Sequence, residues 1–204
     1  MEFYLLPLVN VTLFPLTYKP LNLSEKKYVQ MVHDSLRTQI PIAVGFVDDA
    51  QRLGPVKVGG EISFVSAQAG FGHPQIVDQR QNNSLLIFLQ GAGKVKIGKV
   101  ISNDPYICFE GEVFQENQNL DESLIPYLGK LKKILVGWIN KHIHDPLQKD
   151  IFIKGIQKPE EIVSNFSAYL IRDYDIQQQI FEIHNLNDQI QFLEKVVSSN
   201  ETLF

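Results

Sequence analysis

The spacing of apolar residues changes character part-way along the chain. Up to about Asn119 they come in short runs broken by Gly and Pro, the mark of strands; beyond it they recur every three to four residues, the mark of helices. In the first half, Leu5 to Leu8 reads as an opening strand, which Pro7 assigns to an edge or an irregular position because proline cannot donate to a ladder. Ser24 then offers an N-cap for a helix of about a dozen residues carrying Tyr28, Met31, Val32 and Ser35-Leu36 at helical spacing, closed by Pro41. The run Ile42-Ala43-Val44-Gly45-Phe46-Val47, bounded by Pro41 and Asp48-Asp49, predicts a buried strand. Val56-Lys57-Val58 and Glu61 to Ala67 predict two more, joined at Gly59-Gly60.

A polar loop is expected over Ala69 to Pro74 and again over Asp78 to Asn83, with Ile76-Val77 as a short strand between them. Ser84 to Leu89 and Lys94 to Ile101 predict a strand pair turning at Gly91-Ala92-Gly93, and Tyr106 to Phe114 adds a last strand.

In the second half, Leu124, Leu128, Leu131, Leu135, Trp138 and Ile139 share one helical face, with Asp121 or Ser123 as cap and Pro126 in the first turn. Asp145-Pro146 reads as its stop. Pro159 with Glu160-Glu161 starts another helix, whose stripe is Ile162, Phe166, Tyr169 and Leu170. One or two further helices cover Ile176 to Val197. The expected class is therefore α+β, with a β-rich part over residues 1–117 that carries one helix and a helical part over 118–204.

Composition narrows the function classes. With 44% hydrophobic and 21% charged residues in 204, the chain reads as an ordinary folded protein. A net charge of -4 disfavours nucleic acid as the main partner. Charges and prolines break every apolar run well short of the roughly 20 residues of a membrane helix, and Glu2 with two prolines argues against a signal peptide at the start. The single cysteine, Cys108, lies in an apolar run and fits a reducing cytoplasm. Asn-x-Ser/Thr matches, among them those beginning at Asn10, Asn22, Asn165 and Asn200, are read as chance in the absence of that signal.

Several spaced residues resemble the amino-terminal domain of the Lon protease family. They are Leu13-Phe14-Pro15, Pro20-Leu21, Glu25, Lys27-Tyr28 and Met31-Val32, then Val58-Gly59, Ile62, Gln90-Gly91, Lys94, Lys96-Ile97 and Asp104-Pro105-Tyr106. In the second half, Pro159 through Ala168-Tyr169-Leu170, and Gln178 to Glu182 through Ile190 and Leu193, are similar to the helical part of the same domain. Lys27 stands where the family pattern has Arg, and Gly93 likewise. The resemblance implies a PUA-like pseudo-barrel followed by a helical subdomain. It also implies a non-catalytic module that binds unfolded or partly folded polypeptides for ATP-dependent proteolysis, with a separate protease as a further partner. The phosphate loop and Ser-Lys peptidase of full-length family members are expected to be missing here.

No motif in the residues supplies chemistry of its own. Gly93 to Val100 fits phosphate-loop spacing, but Val100 replaces the hydroxyl that such a loop needs and the Lys-Val-Lys-Ile alternation reads as a strand. His142 and His144 with Asp145 are wrongly spaced for a zinc site on a helix and read as a helix end. No nucleophile elbow occurs. No catalytic, cofactor-binding or metal-binding residue is therefore assigned. The polypeptide-binding candidates are Phe71 and His73 in the glycine-flanked loop, with Tyr18 and Ile76. Two alternatives are an RNA-binding PUA-like domain using Lys94, Lys96 and Lys99, and a regulatory domain with a small-ligand pocket.

Overall fold

The computed structural model describes residues 1–80 and 84–199 and has an α+β architecture. Part of the loop expected over Asp78–Asn83, and the Asn200-Glu201-Thr202 pattern, lie outside the described residues. The chain divides into two compact units, Met1–Phe114 and Gln115–Phe204.

In the first unit the strands are β1 (Glu2–Val9), β2 (Tyr18–Leu23), β3 (Ile42–Val47), β4 (Gln68–Gln79), β5 (Leu85–Ser102) and β6 (Cys108–Val113), with helix α1 (Lys26–Thr38) between β2 and β3. The sheet runs β2-β5-β4-β3-β1-β6, and β6 also pairs with β5. That extra pairing closes β5, β4, β3, β1 and β6 into a ring and leaves β2 outside it, on the first half of β5. Closure explains why β1 and β3, which pair in parallel, are buried on both faces.

One set of side chains fills the ring. Phe3, Ala43, Ala69, Val95 and Phe109 come one from each ring strand, and Phe3 meets Phe71 edge-on at 5.1 Å between strands that are not neighbours. The opposite faces of β1 and β3 present Tyr4, Leu6, Ile42 and Val44 to a second cluster with Met31 and Val32 of α1 and with Leu85, Ile87 and Leu89 of β5.

Several sequence expectations are corrected here. The segment Ala69 to Pro74 is not a loop but the start of β4. Its glycines are there for close backbone approach: a Cβ at Gly70 would overlap the Leu13 carbonyl oxygen, and one at Gly91 that of Phe14. The Leu13-Phe14-Pro15 segment thus lies directly on the sheet, with Leu16 N–H donating to Gly91 O at 2.8 Å and Gly91 N–H to Thr17 O at 2.9 Å. For the same reason Gly91-Ala92-Gly93 is not a turn, and the expected strand pair is the single 18-residue strand β5. Residues 56–58 and 61–67 are not strands; they form an irregular wall whose Ile62 and Phe64 enter the ring core. Glu25, not Ser24, occupies the N-cap of α1.

The second unit is helical: α2 (Ile125–His142), α3 (Pro146–Lys154), α4 (Pro159–Leu170), α5 (Tyr174–Glu182) and α6 (Leu186–Ser199). The predicted stripe of α2 is buried at Leu128, Leu131, Leu135 and Ile139, and that of α4 at Ile162, Phe166 and Leu170. Asp145 does not simply stop a helix. Its carboxylate accepts from Gln148 N–H at 2.7 Å and starts α3. Asp121 caps a short 3-10 turn, Glu122–Leu124, that leads into α2.

Candidate functional site

Strands β2, β5 and β4 continue beyond the end of β3 as a three-stranded ribbon, because β3 pairs with β4 only as far as Gly72. Its register fixes which side chains share a face. Tyr18, Gln90 and His73 form one cross-strand row, and Pro20, Phe88 and Gln75 another on the same side. Between them, Lys19, Leu89 and Pro74 face the other way, as do Leu21, Ile87 and Ile76. That second face is the one turned to the core, where Leu89 and Ile87 are fully buried.

The outer face keeps an aromatic pair open to water. Tyr18 is 46% and Phe88 38% exposed, with ring centroids 6.5 Å apart in an edge arrangement. Pro20 beside them is exposed, and Val77, at the bulge in β4, is half exposed. Large apolar side chains grouped on one exposed face are a mark of an interaction surface.

The ribbon's edges are unsuited to strand addition. The bond from Gly91 N–H to Thr17 O sets the alternation of the β2–β5 ladder. Lys19, Leu21 and Leu23 spend their backbone groups on β5, whereas Tyr18, Pro20 and Asn22 turn theirs to the open edge. Pro20 has no N–H to offer there. By the same alternation Pro74, opposite Leu89, turns its nitrogen to the other edge. Proline at the centre of each edge blocks a continuous added strand.

The sequence candidates are thus separated. Tyr18 and His73 share a row on the outer face, with His73 exposed. Ile76, 39% exposed, lies at the rim of the opposite face. Phe71 points into the ring against Phe3, with Gly93 making room for its edge. Phe88 was not singled out by sequence, because inside Leu85-Leu86-Ile87-Phe88-Leu89 nothing marks it as outward until the register is known.

Burial depresses the Lys19 ammonium below its ordinary range on the inner side of the ribbon. Lys94 is 2% exposed, so it cannot join Lys96 and Lys99 in the phosphate-contacting row that RNA binding would need. The phosphate-loop spacing at Gly93 to Val100 lies wholly within β5, where no phosphate-cradling turn exists. In the helical unit, His142 stacks on Trp138 with centroids 4.7 Å apart and its Nδ1 lies 2.9 Å from Trp138 O, an ordinary helix end. No helix among the described residues is long and apolar enough to cross a membrane.

Comparison with known proteins places these features in a family. Residues 2–198 match the family described as the ATP-dependent protease La (LON) substrate-binding domain. The Lon protease of Buchnera aphidicola is 20% identical over 195 residues, which is 95% of this chain and 24% of that protein. The chain therefore spans about a quarter of the length of this curated relative. Among solved structures, the Lon N-terminal domain protein of Xanthomonas campestris is 14% identical with a TM-score of 0.65, covering 97% of this chain and 98% of that one. The N-terminal domain of a Mycobacterium avium complex Lon protease is 10% identical with a TM-score of 0.69, covering 98% of this chain and all of that one.

Proposed function

Starting from the family to which this chain belongs, that of the ATP-dependent protease La (LON) substrate-binding domain, we propose that it binds exposed hydrophobic segments of unfolded or partly folded polypeptides for ATP-dependent proteolysis. The observation that carries this reading is the outer face of the β2–β5–β4 ribbon, where Tyr18 and Phe88 stand exposed beside Pro20. Native proteins bury most side chains of this kind, so a surface that prefers aromatic and aliphatic partners selects chains that have lost their tertiary structure. Side-chain contact on a face demands no fixed sequence, which suits a binder of many clients.

On this reading the domain is a non-catalytic recognition module that acts in the cytoplasm together with a Lon-type protease. A free, buried Cys108 thiol suits that reducing compartment. The test is fluorescence anisotropy of a labelled, permanently unfolded protein titrated with the chain, beside the same protein in its native form. Binding to the unfolded form at least tenfold tighter than to the native form supports the reading. Equal binding, or none, removes it.

A further inference from the structure

The first unit contains a second feature that shares no residue with the ribbon face: a cleft of about 240 Å³ where β1 and β6 part. The two strands pair only over Glu2–Tyr4, opposite Cys108–Glu110, with one further bond from Leu5 N–H to Ile107 O at 2.9 Å. Pro7 is the next residue whose backbone turns to that edge, and it has no N–H to strand. The gap therefore leaves no Pro7 N–H unpaired on that side.

Each wall of the cleft is tied independently. Tyr106 donates to the Asp34 carboxylate at 2.7 Å and meets Tyr4 edge-on at 4.9 Å. Across from it, Asn103 Nδ2 donates to Val56 O at 2.7 Å and holds the irregular segment 54–56 in place. The apolar lining of the cleft is Pro7, Val56 and Ile107, each partly exposed, and Leu5, which is fully buried. At the mouth, Lys27 is the one charged side chain among the described lining residues. Its Nζ lies 4.7 Å over the Tyr28 ring and 3.6 Å from Glu25, and the side chain stays 47% exposed, so a ligand carboxylate would compete with Glu25 for it. Taking about 30 Å³ per water-sized volume, the cleft has room for roughly eight non-hydrogen atoms. That is the size of one branched or aromatic residue, smaller than a drug-like ligand requires.

We propose that this cleft is a binding site for a residue-sized apolar carboxylate, its hydrocarbon end on Pro7, Val56 and Ile107 and its carboxylate on Lys27. Two sources carry that chemistry: a free small acid, and the C-terminal residue of a polypeptide.

The experiment titrates the full chain with 4-methylpentanoate and with 4-methylpentanamide, following the methyl resonances of Leu5, Val56 and Ile107 by NMR. The acid moves these signals saturably and the amide binds at least threefold more weakly. Lys27→Gln removes that preference for the acid, and Val56→Trp, which fills the cleft, abolishes the shifts. Because Lys27 is exposed, its substitution leaves folding intact even where Val56→Trp does not. A peptide ending in leucine with a free carboxylate, beside its amidated form, assigns the source. Displacement of 4-methylpentanoate by the free-carboxylate peptide alone points to polypeptide C-termini, and its failure to displace points to a free acid. Absence of shifts at the cleft methyls, or equal shifts with acid and amide, overturns the proposal.

Discussion

Asp34 and Tyr106 show how much a single pair can hold. The phenol of Tyr106 keeps its proton, because burial and then the neighbouring Asp34 push its pKa far up, and it donates that proton to Asp34. The same bond, followed by Arg37 at 2.7 Å, holds the Asp34 carboxyl below its ordinary range. A carboxyl depressed in the folded state adds stability that is present above the unfolded pKa of about 3.9 and fades as pH falls through the lower folded value. Tyr106→Phe should therefore cost about 1 kcal/mol at neutral pH, and the difference from wild type should shrink below about pH 4, as read from urea midpoints across pH. A difference independent of pH would mean that the phenol acts by packing alone. The pair was not legible in sequence: its members lie 72 residues apart, and the Asp104-Pro105-Tyr106 stretch that contains Tyr106 does not point to Asp34. Cys108, by contrast, reads directly from its apolar neighbours. Burial pushes its thiol up to about 11, so thiol reagents at neutral pH should label it only on unfolding, which labelling with and without denaturant checks.

At the scale of elements, helices were read better than strands. The stripe of α2 follows from a period of 3.6, and no distant contact is needed to see it. The first part of β4, Ala69 to Pro74, carries the loop signals of Gly70, Gly72 and Pro74, although their reasons are tertiary: Gly70 lets the Leu13 backbone lie on the sheet, and Pro74 points its nitrogen away from β5. Likewise the three residues Gly91 to Gly93 mark a crossing of chains and room for Phe71 inside one long strand. Helix α3 was missed because its residues, including Leu147 and Ile151, are largely exposed and give no buried stripe. Two kinds of glycine follow from this. Gly70→Ala should destabilise the first unit by about 3 kcal/mol, since the backbone itself must move. Gly129→Ala and Gly137→Ala, within α2 and with nothing within 4 Å of the added methyl, should each stabilise by about 0.5–1 kcal/mol. Thermal or urea unfolding of the single variants decides both signs.

For the whole molecule, the α+β class and the family were legible because the spaced residues that carry the resemblance serve the fold. Leu13-Phe14-Pro15 is the segment laid across the sheet, and Met31-Val32 is the helix side of the second core. The candidate face was legible only in part. Tyr18 was recognised as a candidate, but its partner Phe88 needed the β2–β5 register, and Phe71 was drawn into the ring by Phe3 across β3. On the proposed reading, the outer face of the ribbon, rather than the Phe71 segment, recognises unfolded chains. The most direct measurement is the affinity of Tyr18→Ser/Phe88→Ser and of Phe71→Leu for a permanently unfolded protein, each variant first checked for a native circular dichroism spectrum. At least a tenfold loss is expected for the double variant, with an affinity close to wild type for Phe71→Leu. Unchanged binding by a folded double variant would contradict it.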